Sequence, residues 1–182
     1  MGGGTPKTGN ESYWNGIIPF FTPKDVNGLY VLTTEKNVTE LGLSNCNSRL
    51  YPQNTVFVTA RGTVGKLSLA GCDMAMNQSC YALVGNKDYG QYYVYHLTLS
   101  VISSLKSKAN GAVFDAIITR DFESEIVKIP PNEVRTMFEN IVAPIYAAIL
   151  LNSKGNSVLS ATRDGLLPKL MSGEIDVSEV SG

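Results

Sequence analysis

The sequence predicts an α+β protein: a small mixed α/β head followed by one long coiled-coil-type helix. Three observations carry this expectation. Short, β-branched, alternating segments cluster between residues 17 and 85. Apolar residues then recur at three- and four-residue intervals over residues 88–111. From Asn132 the texture changes to a sustained heptad pattern. These place a head domain at residues 1–130 and a helical region at residues 131–182.

In the head, "IIPFFT" (17–22) reads as a strand in which Pro19 favours an edge or entry position. "YVLTT" (30–34) is a second apolar stretch. "TEKNVTELGL" offers Thr34 as an N-cap and Gly42 as a stop, which predicts one or two helical turns. "TVFVTA" (55–60), "KLSLAG" (66–71) and "QSCYALVG" (78–85) read as three further strands in a small mixed or antiparallel sheet with hairpin links. In residues 88–111, Tyr92, Tyr95, Leu99, Ile102 and Leu105 define one face of a helix that Gly111 ends. "FESEIVKIPP" (122–131) predicts a short strand stopped by Pro130 and Pro131.

In the helical region, Phe138, Ile141, Ile145, Ala148, Asn152, Gly155, Leu159, Thr162 and Leu166 follow one another at alternating steps of three and four. A helix over 133–167 would be about 50 Å long at ~1.5 Å per residue. A head of this size cannot cover it, so packing against a second molecule is favoured over an internal helix pair. Asn152 is the kind of seam residue that fixes register and partner number. Gly155 weakens the helix by about 1 kcal/mol relative to Ala, and Pro144 should kink it or set its start.

Composition narrows the function classes. Hydrophobic residues make up 43% of the 182 and charged residues 17%, a globular balance. No apolar run approaches the ~20 residues that span a bilayer, so no membrane partner is expected. "MGGGTPKTGN" lacks the apolar core of a signal peptide. Cys46, Cys72 and Cys80 are widely spaced, which fits neither a zinc site nor a disulfide framework and suits a reducing, cytoplasmic setting. Net charge is −1, but residues 1–110 carry nine Lys/Arg against six Asp/Glu while residues 111–182 carry six against ten. An anionic partner would therefore meet the front of the chain.

"TARGTVGKLSL" (59–69) first resembles a phosphate cradle. A P-loop would need glycine where Ala60 stands, a hydroxyl where Leu67 stands, and a following helix where a strand is expected. The stretch reads instead as a hairpin softened by Gly62 and Gly65, flanked by Arg61 and Lys66, side chains that can meet phosphate or guanine. His96 is the only histidine and has no paired nucleophile, so neither a catalytic triad nor a metal site is expected. "DFESE" (121–125) reads as a solvated acidic face. Trp14 beside Tyr13 could stack on a base, although a lone Trp is more often a core anchor.

Four stretches taken together resemble the DNA-specificity subunit of type I restriction-modification systems. They are "GGGTPKTGNESYWNGIIPFFTPKDV", "TEKNVTELGLSN", "TVFVTARGTVGKLSL" with "MAMNQSCYAL", and "RDGLLPKLMSGEIDV". The resemblance implies a non-catalytic subunit without cofactor or metal. Its recognition domain would read half of a split site in double-stranded DNA. Its helices would act as a ruler and dock methylase subunits, and through them the restriction subunit. Usual members carry two recognition domains and two helical regions, so this chain looks like half a subunit, either a fragment or a half-subunit that forms a homodimer. It begins almost at GGTP, without the short lead usual in the family. "NSKGN" (152–156) departs from the polar tract usual in the family's helix, which weakens the case for a methylase contact there.

Carried over for DNA contact are Thr22, Lys24 and Asp25 from "TPKD", Arg61, Thr63 and Lys66 from the hairpin, and Asn77 and Gln78 from "NQ". Each has a structural alternative: Asp25 could cap a turn, and Asn77 with Gln78 could pin the sheet to a loop. Partner contact is assigned to Phe138, Ile141, Ile145, Ala148, Asn152, Leu159 and Leu166. Two other readings stay open: a helix-mediated scaffold that binds no DNA, and a recognition module cut from a fused methyltransferase or nuclease.

Overall fold

The computed structural model describes residues 2–86, 88–108 and 116–175. The chain divides into two compact units, residues 1–143 and 144–182.

Seven short strands build the first unit: β1 (Trp14–Phe21), β2 (Tyr30–Val31), β3 (Asn37–Val38), β4 (Val56–Thr59), β5 (Leu67–Ala70), β6 (Ala75–Met76) and β7 (Cys80–Leu83). They form two sheets rather than one, in the orders β3-β1-β6 and β2-β5-β4-β7. Both are mixed. β1 pairs antiparallel with β3 and parallel with β6, whereas β5 pairs parallel with β2 and antiparallel with β4.

β4 is one of two interior strands of the four-stranded sheet, and all four of its residues are buried. Alternation alone would bury only one face. Here Phe57 enters the core, stacked on Phe21 at 4.5 Å and edge-on to Tyr51 at 5.9 Å. The opposite face is covered by the helix α2 (Gln91–Lys108), which lies against β4 and buries Tyr92, Tyr95, Thr98, Ile102 and Leu105. Successive residues of β1 serve two cores. Phe21 joins Val31, Tyr51, Phe57, Met74 and Met76. Phe20 joins Ile18, Val38 and Ala75, with Trp14 and Leu43 packed on them. Each buried aromatic contributes about 1.5–3 kcal/mol.

The hairpin between β4 and β5 forms as the sequence predicts. Thr59 donates from its backbone to Lys66 O at 3.0 Å and Gly65 to Thr59 O at 2.8 Å. Gly62 (φ 78°) and Gly65 (φ 72°) supply the left-handed backbone that such a turn requires.

Three local expectations need correction. The short helix α1 spans Glu40–Ser44, so Gly42 lies inside it and Asn45 is its C-cap, and its N-cap is Thr39, whose Oγ1 accepts from Gly42 N at 3.0 Å. Thr34 is engaged elsewhere, accepting from Phe20 N at 3.0 Å and donating to Lys36 O at 2.8 Å. No strand forms over 122–131. A one-turn helix, α3 (Thr119–Glu123), is followed by chain without regular structure, in which Ile126 is 97% exposed. The acidic stretch is also not a plain solvated face. Glu125 accepts from Ser104 Oγ at 2.8 Å and from Lys108 Nζ at 2.6 Å, tying down the end of α2. Those bonds, that from Lys108 first, hold its carboxyl below the ordinary range. The predicted stop at Gly111 lies outside the described residues.

The long helix α4 runs Asn132–Met171 with Pro144 and Pro168 inside it, so Pro144 does not set its start. Forty residues give about 60 Å at ~1.5 Å per residue. Near its beginning, within the first unit, Glu139 accepts from Tyr92 N and Tyr93 N, both at 3.0 Å, and so caps α2. Arg135 lies over the Tyr89 ring at 4.5 Å and donates to Asp88 O and Pro130 O at 3.1 and 2.7 Å. In the second unit most large apolar side chains of α4 are exposed, among them Leu151, Val158, Leu159, Leu167 and Met171. By length and composition α4 is apolar enough to cross a membrane, with an 18-residue window of mean hydropathy 1.4. This qualifies the expectation drawn from run length, since uninterrupted apolar residues extend only from Ile141 to Leu151.

Candidate nucleic-acid interface

One open cleft of about 480 Å³ lies in the first unit, and the motifs singled out in the sequence converge on it. Thr22, Lys24, Arg61, Asn77 and Gln78 all line it. They arrive from three directions. Thr22 and Lys24 follow β1, Arg61 follows β4, and Asn77 and Gln78 follow β6. β1 and β6 run parallel, with Phe21 opposite Met76, so both deliver their following residues to the same end of the sheet.

The amino-terminal glycines complete this junction. Gly3 sits so close to the β6 end that a Cβ would lie 2.1 Å from Asn77 O. Gly4 N donates to Met76 O at 3.3 Å, and Thr5 Oγ1 donates to Gln78 Oε1. A side chain at Gly3 would push the amino-terminal segment off the sheet. "GGTP" and "NQ" are thus two sides of one contact.

The remaining assigned residues are placed differently. Asp25 is buried and does not line the cleft. Its Oδ2 accepts from Thr22 N and Thr22 Oγ1, both at 2.7 Å, and its Oδ1 from Glu35 N at 2.8 Å. It clamps the "TPKD" turn to the chain at Glu35. Thr63 and Lys66 are exposed on the hairpin outside the cleft lining. Thr63 Oγ1 donates to Pro23 O at 3.4 Å, while Lys66 N donates to Thr59 Oγ1 at 3.0 Å. Lys106 of α2 donates to Gly65 O at 3.0 Å and pins the hairpin from behind. Asn77 Oδ1 accepts from Ser79 N at 3.0 Å, an Asx turn that leaves its amide nitrogen available.

The cleft also takes in Trp14, which the sequence offered as a base-stacking candidate or a core anchor, and several residues that sequence reasoning missed. Trp14 forms part of the lining, edge-on to Phe20 at 5.5 Å, with its Nε1 donating to Lys7 O at 3.2 Å. Lys36 Nζ lies 5.6 Å from the Trp14 ring, a cation–π pair at the cleft. Glu35, Thr5, Thr8 and Ser79 also contribute. "YW" was the available signal for Trp14. Glu35 and Lys36 lie in the quoted stretch "TEKNVTELGLSN" but were not singled out there, and they reach the cleft through the pairing of β3 with β1.

The lining therefore holds three cations (Lys24, Lys36 and Arg61), one carboxylate (Glu35), amide and hydroxyl side chains and the rings of Trp14 and Phe20. Such a surface can bind phosphate through the cations and base edges through the amides. Among the described residues no group of three or more His, Cys, Asp and Glu gathers to hold a metal.

Of the residues assigned to partner contact, Phe138 is half-buried, edge-on to Tyr93 at 6.3 Å and His96 at 5.4 Å. Ile141 (64% exposed), Ile145, Leu159 (67% exposed) and Leu166 present apolar surface to solvent, and Ala148 and Asn152 are exposed beside them.

Comparison with known proteins agrees with this architecture. The chain is 26% identical over 163 residues to the type I restriction enzyme MjaIX specificity subunit of Methanocaldococcus jannaschii, covering 87% of this chain and 38% of that protein. It is 28% identical over 178 residues to the HindI specificity subunit of Haemophilus influenzae, covering 95% of this chain and 39% of that one. The chain thus spans about two fifths of the length of these relatives. The HsdS subunit from Thermoanaerobacter tengcongensis shares the fold, with a TM-score of 0.53 at 16% identity over 95% of this chain and 42% of that one. A chain from a structure of a type I R-M system aligns with a TM-score of 0.58 at 18% identity, over 93% of this chain and 42% of its own. The type I restriction modification DNA specificity domain model matches residues 1–158. This match takes in the whole first unit and much of α4, and the chain belongs to that family.

Proposed function

We propose that this chain is a non-catalytic, sequence-reading DNA recognition subunit, or the corresponding part of one, in a type I restriction-modification complex. The observation that carries this reading is the cleft whose lining brings Lys24, Lys36 and Arg61 together with Asn77 and Gln78. The cations hold phosphates and set register. The amides read base edges, adenine above all, which Asn and Gln can engage through two hydrogen bonds. The subunit reads half of a bipartite site. The exposed apolar face of α4 pairs with a second copy and docks methylase subunits, which bring the restriction subunit. The complex works in the cytoplasm, where its DNA is. Neither a cofactor nor a metal takes part in recognition.

The scaffold reading draws on the same exposed helix, and salt dependence separates the two. With phosphate contacts from three cleft cations, log affinity for duplex DNA should fall with log salt at a slope of about −3 or steeper. Arg61→Ala should weaken binding and reduce that slope by about 1. Binding that ignores both salt and Arg61 would leave the scaffold reading in place.

A further inference from the structure

The cleft holds one group that does not suit a phosphate-binding surface. Glu35 lies in its lining with Lys24, Lys36 and Arg61, yet its carboxylate makes no ion pair with any of them among the described residues. Its backbone is fixed, because Glu35 N donates to the buried Asp25 carboxylate at 2.8 Å and Asp25 in turn holds Thr22. The carboxylate is thus displayed from an anchored point beside Thr22 and Lys24.

A carboxylate only accepts hydrogen bonds. Facing a DNA backbone it would meet like charge, which opposes binding. On the duplex, the groups that reward an acceptor are exocyclic amines, and in the major groove these are cytosine N4 and adenine N6. Thymine O4 and guanine O6 are acceptors and would repel it.

We infer that Glu35 is a specificity-determining residue that selects an amino-bearing base, cytosine or adenine, at one position of the half-site and rejects thymine and guanine there. Asp25 acts through it as a positioning residue. The inference rests on the cleft being the DNA-reading surface and on its meeting the major groove, since in the minor groove the amine within reach would be guanine N2.

The test is selection from a pool of duplexes randomised across the site. It uses the complex assembled with its methylase subunits, in wild-type form and with Glu35→Gln. Glutamine is nearly isosteric, and position 35 is exposed, so folding is preserved. Its amide can also donate, and so admits thymine and guanine. The expected result is a cytosine or adenine preference at one position in the wild type that relaxes by roughly fivefold to a hundredfold in the variant, with the other positions unchanged. Which amine is read follows from the base selected. Identical profiles for the two proteins would overturn the role of Glu35 and leave DNA reading intact. A uniform loss of affinity without change of profile would do the same. A wild-type complex that selects no sequence would overturn the reading of the cleft itself, and Glu35 with it.

Discussion

Cys80 shows how a side chain that looks chemically available in the sequence is silenced by its place. It is buried in the core with Phe21, Phe57 and Met76, and burial, aided by the nearby negative charge of Asp25, pushes its thiol up to about 12. Cys46 and Cys72 are half-exposed. A maleimide at neutral pH should therefore label Cys46 and Cys72 quickly and Cys80 only after denaturation, as read by mass spectrometry of the peptides. Equal labelling of all three in the native protein would contradict the packing. The pH dependence has a definite sign. Unfolded, the thiol titrates near its ordinary 9.0, whereas folded it keeps its proton to about 12. Its contribution to stability is complete below pH 9 and is lost as pH rises from about 9 toward 12. Residue by residue, the cleft was only partly legible. Arg61, Asn77 and Gln78 stood in recognisable local patterns. Lys36 and Glu35 lay in "TEKNVTELGLSN" without any sign of this role, because β3 must pair with β1 before either reaches the cleft.

Among elements, those with a strong internal period were the most legible. β4, β5, β7 and α2 fall where alternation or three-and-four spacing puts them. The failures have a common physical origin. β3 and β6 are two residues each and exist only through pairing with β1, which no local pattern announces. The segment 122–131 had strand-like composition but found no partner strand, so no ladder formed there, and its carbonyls at Pro130 and Pro131 are met by Arg135 instead. The capping of α2 is likewise non-local. Its first amides, at Tyr92 and Tyr93, are satisfied by Glu139, far along the chain. Removing a charged acceptor from two helix amides costs about 1–3 kcal/mol. Glu139→Ala should lower the urea midpoint accordingly with an unchanged slope, and Glu139→Gln, which keeps one carbonyl acceptor, should lose less. A Glu139→Ala protein as stable as the wild type would show that the cap carries no weight.

For the whole molecule, the heptad pattern in the sequence and the exposure of Ile141, Ile145, Leu159 and Leu166 in the structure describe the same unpartnered stripe. Burying it against a second copy would remove apolar surface that a lone chain leaves in water. Sedimentation of the purified protein should then show a dimer at micromolar concentration, and Leu159→Asp with Leu166→Asp should return it to a monomer. A wild-type monomer throughout would refute self-pairing through this helix. The basic front of the sequence acquires a location too, since Lys24, Lys36 and Arg61, all from residues 1–110, line one cleft. The central claim is that this cleft holds DNA. It is tested most directly by the affinity of the assembled complex for its selected duplex at fixed salt, comparing two double variants that remove equal charge. Lys36→Ala with Arg61→Ala, inside the cleft, should weaken binding by about tenfold or more, while Arg120→Ala with Lys128→Ala, exposed outside it, should leave affinity within about twofold of the wild type. Equal losses in the two variants, or none in either, would contradict the account.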